Sequence, residues 1–165
     1  MAYAHDGINL FEGDPIDSFS TVAALYQEQV QIITTNPDIK TVADLKGKTL
    51  YLTGKGTTPD YVIQYLLKAN GLTTDDVTLE YKSEATEVVA ALAEDTAAIG
   101  LLPQPFVTAA MAQNENLRVA LDLTAEWDAT QEEGGSRLVT GVTIARTDFL
   151  EENEDAVKDF LAEHE

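Results

Sequence analysis

The stretch from Thr49 to Gly71 limits most strongly what this chain can become. Leu50, Tyr51 and Leu52 form a short apolar run of buried-strand type, followed at once by the glycine- and hydroxyl-rich turn Thr53-Gly54-Lys55-Gly56-Thr57-Thr58. Thr58 suits an N-cap and Pro59 the first helical position, where a missing N–H needs no intrahelical partner. The spacing therefore predicts a helix from there to Asn70-Gly71. Within it Val62, Leu66 and Ala69, with Ile63 and Leu67 beside them, recur at intervals of three and four and predict one apolar face. Strand, turn and helix start together concentrate backbone N–H groups and the positive end of a helix dipole, which favours an anion or a small polar molecule. A tight turn and nothing more is the other reading of Gly-X-Gly. A Walker phosphate loop is excluded: Gly47-Lys48-Thr49 has Val42 where the first glycine must stand, and Gly54-Lys55 is followed by Gly56.

The remaining segments supply further strands and helices. Residues 1–20, punctuated by Gly7, Gly13 and Asp14-Pro15, read as an arm or loop, and residues 21–165 as a single lobe. Thr21 to Thr35 divides at Gln27-Glu28-Gln29 into two strand segments or one bent strand, and Thr41 caps a short helix or turn over Val42 to Leu45. Val77, Leu79 and Tyr81 alternate with polar residues and predict a strand near an edge. Ala97 to Leu102 is apolar throughout and belongs in the middle beside Leu50 to Leu52. Ser83 suits a cap for a helix reaching about Glu94, and Pro103-Gln104-Pro105-Phe106 turns into a helix ending near Gln113. Leu117 to Leu123 alternate as a strand, Trp127 and residues 131–136 read as a long surface loop, and Leu138 to Ala145 predict a last strand. Asn153 then caps a closing helix with Val157, Phe160 and Leu161 inward. Strands alternating with helices imply an α/β fold of three layers: a mostly parallel sheet with helices on both faces.

Charge and composition narrow the function. The 165 residues carry 29 acidic and 10 basic side chains, a net charge of −19, which disfavours nucleic acid as a partner. Cysteine is absent, so thiolate chemistry and zinc–thiolate sites are excluded. The histidines, His5 and His164, lie at opposite ends, and runs such as Glu151-Glu152 lack the spacing of a calcium loop. No catalytic residue, metal ligand or cofactor is expected. Lys40, Lys46, Lys48 and Lys55 make the neighbourhood of the glycine turn less negative than the rest. Met1 to Asp6 have neither the basic start nor the apolar run of a signal peptide, so a secreted parent is expected to have lost its leader.

Ile39-Lys40-Thr41-Val42-Ala43-Asp44-Leu45-Lys46-Gly47-Lys48, followed by a strand and the glycine turn, is similar to the segment that opens the second lobe of extracytoplasmic solute-binding proteins of the periplasmic-binding-protein type II fold. Thr53 to Tyr61, Leu102 to Phe106, Val139 to Val142 and Phe149 to Asn153 resemble ABC-transporter receptors of the nitrate, sulfonate and thiamine-precursor group. Ala2 to Gly7, Leu10 to Gly13 and Leu25 to Val30 are more similar to TAXI-type receptors of TRAP transporters, which implies a mosaic, natural or engineered, or a single-lobe fragment. The resemblance implies at least one antiparallel strand in the sheet and a returning segment, Val139 to Ala145, antiparallel to the central strands. It also implies a non-enzymatic lobe that binds a small polar or anionic molecule, serves membrane transporter subunits and resides outside the cytoplasm. Ligand contacts would come from Thr53, Gly54, Lys55, Gly56, Thr57, Thr58, Ser83, Glu84 and Gln104. The alternatives are an enzyme of the same fold, of the thiamine-pyrimidine or menaquinone synthesis type, and a lobe without ligand function. Because a lone lobe leaves Val22, Leu25, Tyr26, Val30 and Ile32 less to bury against, a homodimer or domain swap is expected as well.

Overall fold

In the computed structural model, which describes residues 19–25, 30–132, 135, 136, 138 and 141–164, the apolar runs become a five-stranded sheet. Its strands are β2 (Val30–Thr34), β3 (Thr49–Thr53), β4 (Thr78–Lys82), β5 (Ile99–Pro103) and β6 (Arg118–Asp122), in the spatial order β4-β3-β5-β2-β6. β3 runs parallel to both β4 and β5, whereas β2 is antiparallel to β5 and β6. The two continuous apolar runs are neighbours, as expected, and the two alternating strands lie at the edges.

Helices cover both faces. On one face Ile32, Leu50, Leu52, Ile99, Leu101 and Leu121 meet Val62, Ile63, Leu66 and Leu67 of α1 (Thr58–Ala69) and Leu123 of α4 (Leu123–Ala129). Val42 and Leu45 of a short 3-10 helix join that cluster. On the other face Ile33 and Leu102 pack with Val88, Val89 and Leu92 of α2 (Ala85–Glu94) and Val107 and Ala110 of α3 (Phe106–Gln113). Adjacent residues such as Ile32 and Ile33 of β2, or Leu101 and Leu102 of β5, serve opposite cores, which is why apolar residues stand side by side in these strands. Gly100 of β5 admits α2 closely: a β-carbon there would stand 2.8 Å from Leu92 Cδ1 and 3.0 Å from Val88 Cγ1.

This sheet and its helices form one compact unit, Glu28–Leu138. A second unit pairs β1 (Phe19–Leu25) antiparallel with β7 (Gly141–Arg146) and includes α5 (Thr147–Glu152) and α6 (Glu154–His164). The lobe expected over residues 21–165 is thus spread over two units, and the expected boundary at residue 20 falls inside β1. The arm over 1–18 lies outside the described residues.

Several expectations are corrected. The returning strand, expected antiparallel to the central strands, is not a member of their sheet: β7 pairs with β1, and the antiparallel member of the main sheet is β2. Trp127 lies in α4 rather than in a loop, because Asp122 caps a helix there, accepting the N–H groups of Thr124 and Ala125 at 2.9 and 3.1 Å. Ser83 is not the cap of α2; that position is Glu84, whose extended backbone precedes Ala85. Phe160 is half exposed, whereas Val157 is buried. Ile32 is fully buried in the core of its own unit, which removes it from any surface for self-association, and the side chains of Val22, Leu25 and Tyr26 lie outside the described residues. No helix among the described residues is long and apolar enough to cross a membrane.

Candidate functional site

β3 ends at Thr53 and α1 begins at Thr58, so the chain reverses direction within four residues. Gly54 and Gly56 make this possible with φ of 72° and 76°, a region costly for any residue bearing a β-carbon. At Gly54 a β-carbon would also collide with the Thr57 hydroxyl, which donates to the Gly54 carbonyl at 2.5 Å alongside the Thr57 N–H at 2.9 Å. The helix cap is therefore Thr57 and not Thr58: Thr57 is extended and its carbonyl accepts the Tyr61 N–H at 3.1 Å. Two adjacent threonines before a proline offer the same local signal, and the bond to Gly54 decides between them.

Asp60 fills the turn from the inside. It is only 3% exposed; one carboxylate oxygen accepts the Gly56 N–H at 2.7 Å, and the other accepts Gln64 Nε2 at 2.5 Å and the Tyr81 hydroxyl at 2.6 Å. Burial pushes this carboxyl up, but the bonds from Tyr81, Gly56 and Gln64, with the charge of Lys55, outweigh it and hold the group below its ordinary value. Tyr81 is pushed up to about 12, first by burial and then by its bond to Asp60, so at neutral pH it is a firm donor. Lys55 is exposed, with its ammonium 5.3 Å from the centre of the Tyr81 ring.

The Gly56 amide is thus committed to the protein itself. The donors left at the head of α1 are the N–H groups of Thr58 and Asp60. Neither receives a capping side chain or a backbone acceptor among the described residues, and Pro59 between them has no N–H to offer.

Because β3, β4 and β5 are parallel, the loops after them emerge at the same edge of the sheet, and Thr53 to Thr58, Ser83, Glu84 and Gln104 come to one side. Ser83 and Glu84 are exposed, and the Ser83 N–H is taken by Glu87 at 2.9 Å. Gln104 precedes a cis peptide to Pro105 and accepts the Thr108 hydroxyl at 2.9 Å. Its amide also reaches Gln31 at 3.5 Å, and Gln31 in turn donates to Asp122 at 2.9 Å. Gln31 and Asp122 were not expected here. Asp122 before an apolar residue was readable as a helix cap, but its partner lies 91 positions away and only the pairing of β2 with β6 brings the two together.

Of the four lysines expected near the turn, only Lys55 is there. Lys40, Lys46 and Lys48 precede β3 and lie toward its other end, roughly 16 Å away for a five-residue strand, where Lys46 pairs with Asp76 at 3.3 Å. A groove of about 430 Å³ runs along edge strand β4 beside α1, lined by Lys55, Gln64, Tyr81 and residues from Thr74 to Leu79; of the expected ligand residues it includes Lys55 alone. Among the described residues no cluster of histidine, aspartate and glutamate could hold a metal ion.

The family model described as NMT1/THI5 like matches residues 11–164, a span that crosses residue 40, where the two likenesses noted in the sequence meet. The periplasmic aliphatic sulphonate binding protein SsuA of Escherichia coli is 25% identical, over 88% of this chain and 46% of that one, with a TM-score of 0.66. The alkanesulfonate-binding protein SsuA of Xanthomonas axonopodis pv. citri, bound to MOPS, is 20% identical over 88% and 47%, with a TM-score of 0.55. Holo ArgBP of T. maritima is 17% identical over 86% and 56%, with a TM-score of 0.53. The chain spans about half the length of these structures. With the layered sheet of one lobe of the periplasmic-binding-protein type II fold and a match over nearly all its residues, this chain belongs to the NMT1/THI5-like family.

Proposed function

We propose that the chain is the solute-binding lobe of an extracytoplasmic transport receptor, not an enzyme. Its unit Glu28–Leu138 would take a small polar or anionic molecule at the turn Thr53 to Thr58, with Ser83, Glu84 and Gln104 on the same rim. In the parent protein it would serve membrane transporter subunits. The carrying observation is the convergence of the loops after β3, β4 and β5 on the head of α1, where the Thr58 and Asp60 N–H groups stand uncommitted among the described residues. Sulfonate-binding receptors among the structural relatives support the same reading. The rim residues Thr53 to Thr58, Ser83, Glu84 and Gln104 offer hydroxyls, amides, one lysine and one carboxylate, and none of them is a histidine or cysteine.

A helix terminus contributes only ~0.3–1 kcal/mol toward an exposed anion, while micromolar affinity requires about −8 kcal/mol, so the chain alone should bind at roughly millimolar strength. Titration with nitrate, alkanesulfonates, carboxylates and pyrimidines should move the backbone amides of Gly54 to Tyr61 first. Saturating shifts confined to other residues would overturn the site.

The pairing of β1 with β7 joins opposite ends of the chain, and the same register can be satisfied by β1 of a second copy, which gives a swapped dimer. Light scattering at physiological salt should show the mass doubling as concentration rises. A monomer across the whole range would refute the swap.

A further inference from the structure

The strongest unassigned feature is the carboxylate beneath the glycine turn. A nest of amides at a helix start ordinarily awaits an anion, but here the chain supplies its own: Asp60 is nine-tenths buried and more, and it accepts from Gly56, Gln64 and Tyr81. The positive end of α1 amounts to about half an elementary charge, and a whole negative charge stands within the first turn of the same helix. The groups that face Asp60 are Lys55 and Tyr81. Tyr81 is neutral, and Lys55 is an exposed ammonium on a flexible stem whose effect is screened by salt. An arriving anion would meet Thr58 and Asp60 N–H donors backed by a like charge, whereas a neutral oxygen meets the same donors without that repulsion.

Taking the turn as the ligand site, we propose that Asp60 is its positioning and specificity-determining residue. The buried carboxylate fixes Gly56 from inside, and the free amides of the turn then receive an uncharged oxygen acceptor, such as a carbonyl, hydroxyl or sulfonamide oxygen, in preference to a second anion. Any charged group of the solute would be held elsewhere.

The test compares methanesulfonamide with methanesulfonate, near-isosteric and differing in charge, titrated at constant ionic strength while the amides of Gly54 to Tyr61 are followed. The unaltered protein should bind the sulfonamide more tightly. In Asp60→Asn, which keeps an oxygen acceptor for Gly56 and removes the charge, the sulfonate should gain about five- to tenfold relative to the sulfonamide. Tyr81→Phe, which loses a donor to Asp60 but keeps the charge, should leave the ratio unchanged. A merely structural role for Asp60 would weaken both probes together and could not reverse their order. Preference for the sulfonate in the unaltered protein overturns the proposal without any variant, and so does an unchanged ratio in Asp60→Asn. If neither probe moves these amides in any of the proteins, the turn is not the ligand site and both readings fall.

Discussion

Replacing Asp60 by alanine is expected to cost about 2–4 kcal/mol of stability, a large share of what a domain of this size possesses. The substitution removes the acceptor of three hydrogen bonds and leaves the Gly56 N–H, the Tyr81 hydroxyl and the Gln64 amide to find partners around a side chain that is itself buried. Bonds to an ionised group are each worth about 1.5–3 kcal/mol, and relaxation around the small alanine recovers part of their sum. The same bonds give a pH dependence of known sign. The folded-state pKa of Asp60 is lowered from its ordinary value of 3.8, so its stabilisation is complete above that value and is lost as pH falls through the folded pKa below it. Asp44, Asp76 and Glu154 are lowered as well, by backbone and hydroxyl donors in the two aspartates and by Lys158 in the glutamate. Urea unfolding of Asp60→Asn should therefore show a shallower acid limb than the unaltered protein, without abolishing it. Superimposable profiles as pH falls through 3.8, the ordinary value of Asp60, and below it would mean that Asp60 is not held as described.

Leu66→Ala should cost about 2–5 kcal/mol, because Leu66 is fully buried where α1 meets the sheet and its removal opens a cavity among Leu50, Leu52, Ile63 and their neighbours. Val119, 37% exposed on edge strand β6, provides the contrast: Val119→Ala should cost less than about 1 kcal/mol. Denaturant midpoints at constant slope measure both. A Leu66→Ala midpoint close to that of Val119→Ala would show that α1 does not lie against this face.

The architecture was legible wherever one residue type answers one local need. Glycine at positive φ, proline at a helix start and unbroken apolar runs in doubly covered strands marked β3, the turn, α1 and β5. The glycine turn was legible as a turn, but the bonds inside it were not. An aspartate in the first turn of a helix reads as a solvated charge favoured by the dipole. Only the arrival of Tyr81 from the neighbouring parallel strand, 21 positions on, turns it into a buried acceptor. Gln31 and Asp122 were hidden for the same reason, since nothing near either residue foretells that β2 will lie between β5 and β6. Helix α4 was missed because the alternation of β6 runs into its first residue, and α5 because its six residues are too few to show a period.

The antiparallel strand has a consequence for how the molecule is made. β2 is the first strand of its unit to leave the ribosome, yet its two partners in the sheet, β5 and β6, are the last. Until β5 has been synthesised β2 has nothing to pair with, and until β6 follows, its second edge stays open. β3, α1 and β4 can assemble early from neighbouring sequence, but β6 joins the sheet solely through β2. Closure of this unit is thus a late, long-range event whose rate is governed by the entropy of bringing distant segments together. A nascent chain halted before β5 would carry the apolar edge of β2, with Ile32 and Ile33, uncovered to whatever chaperone or neighbouring chain it meets first.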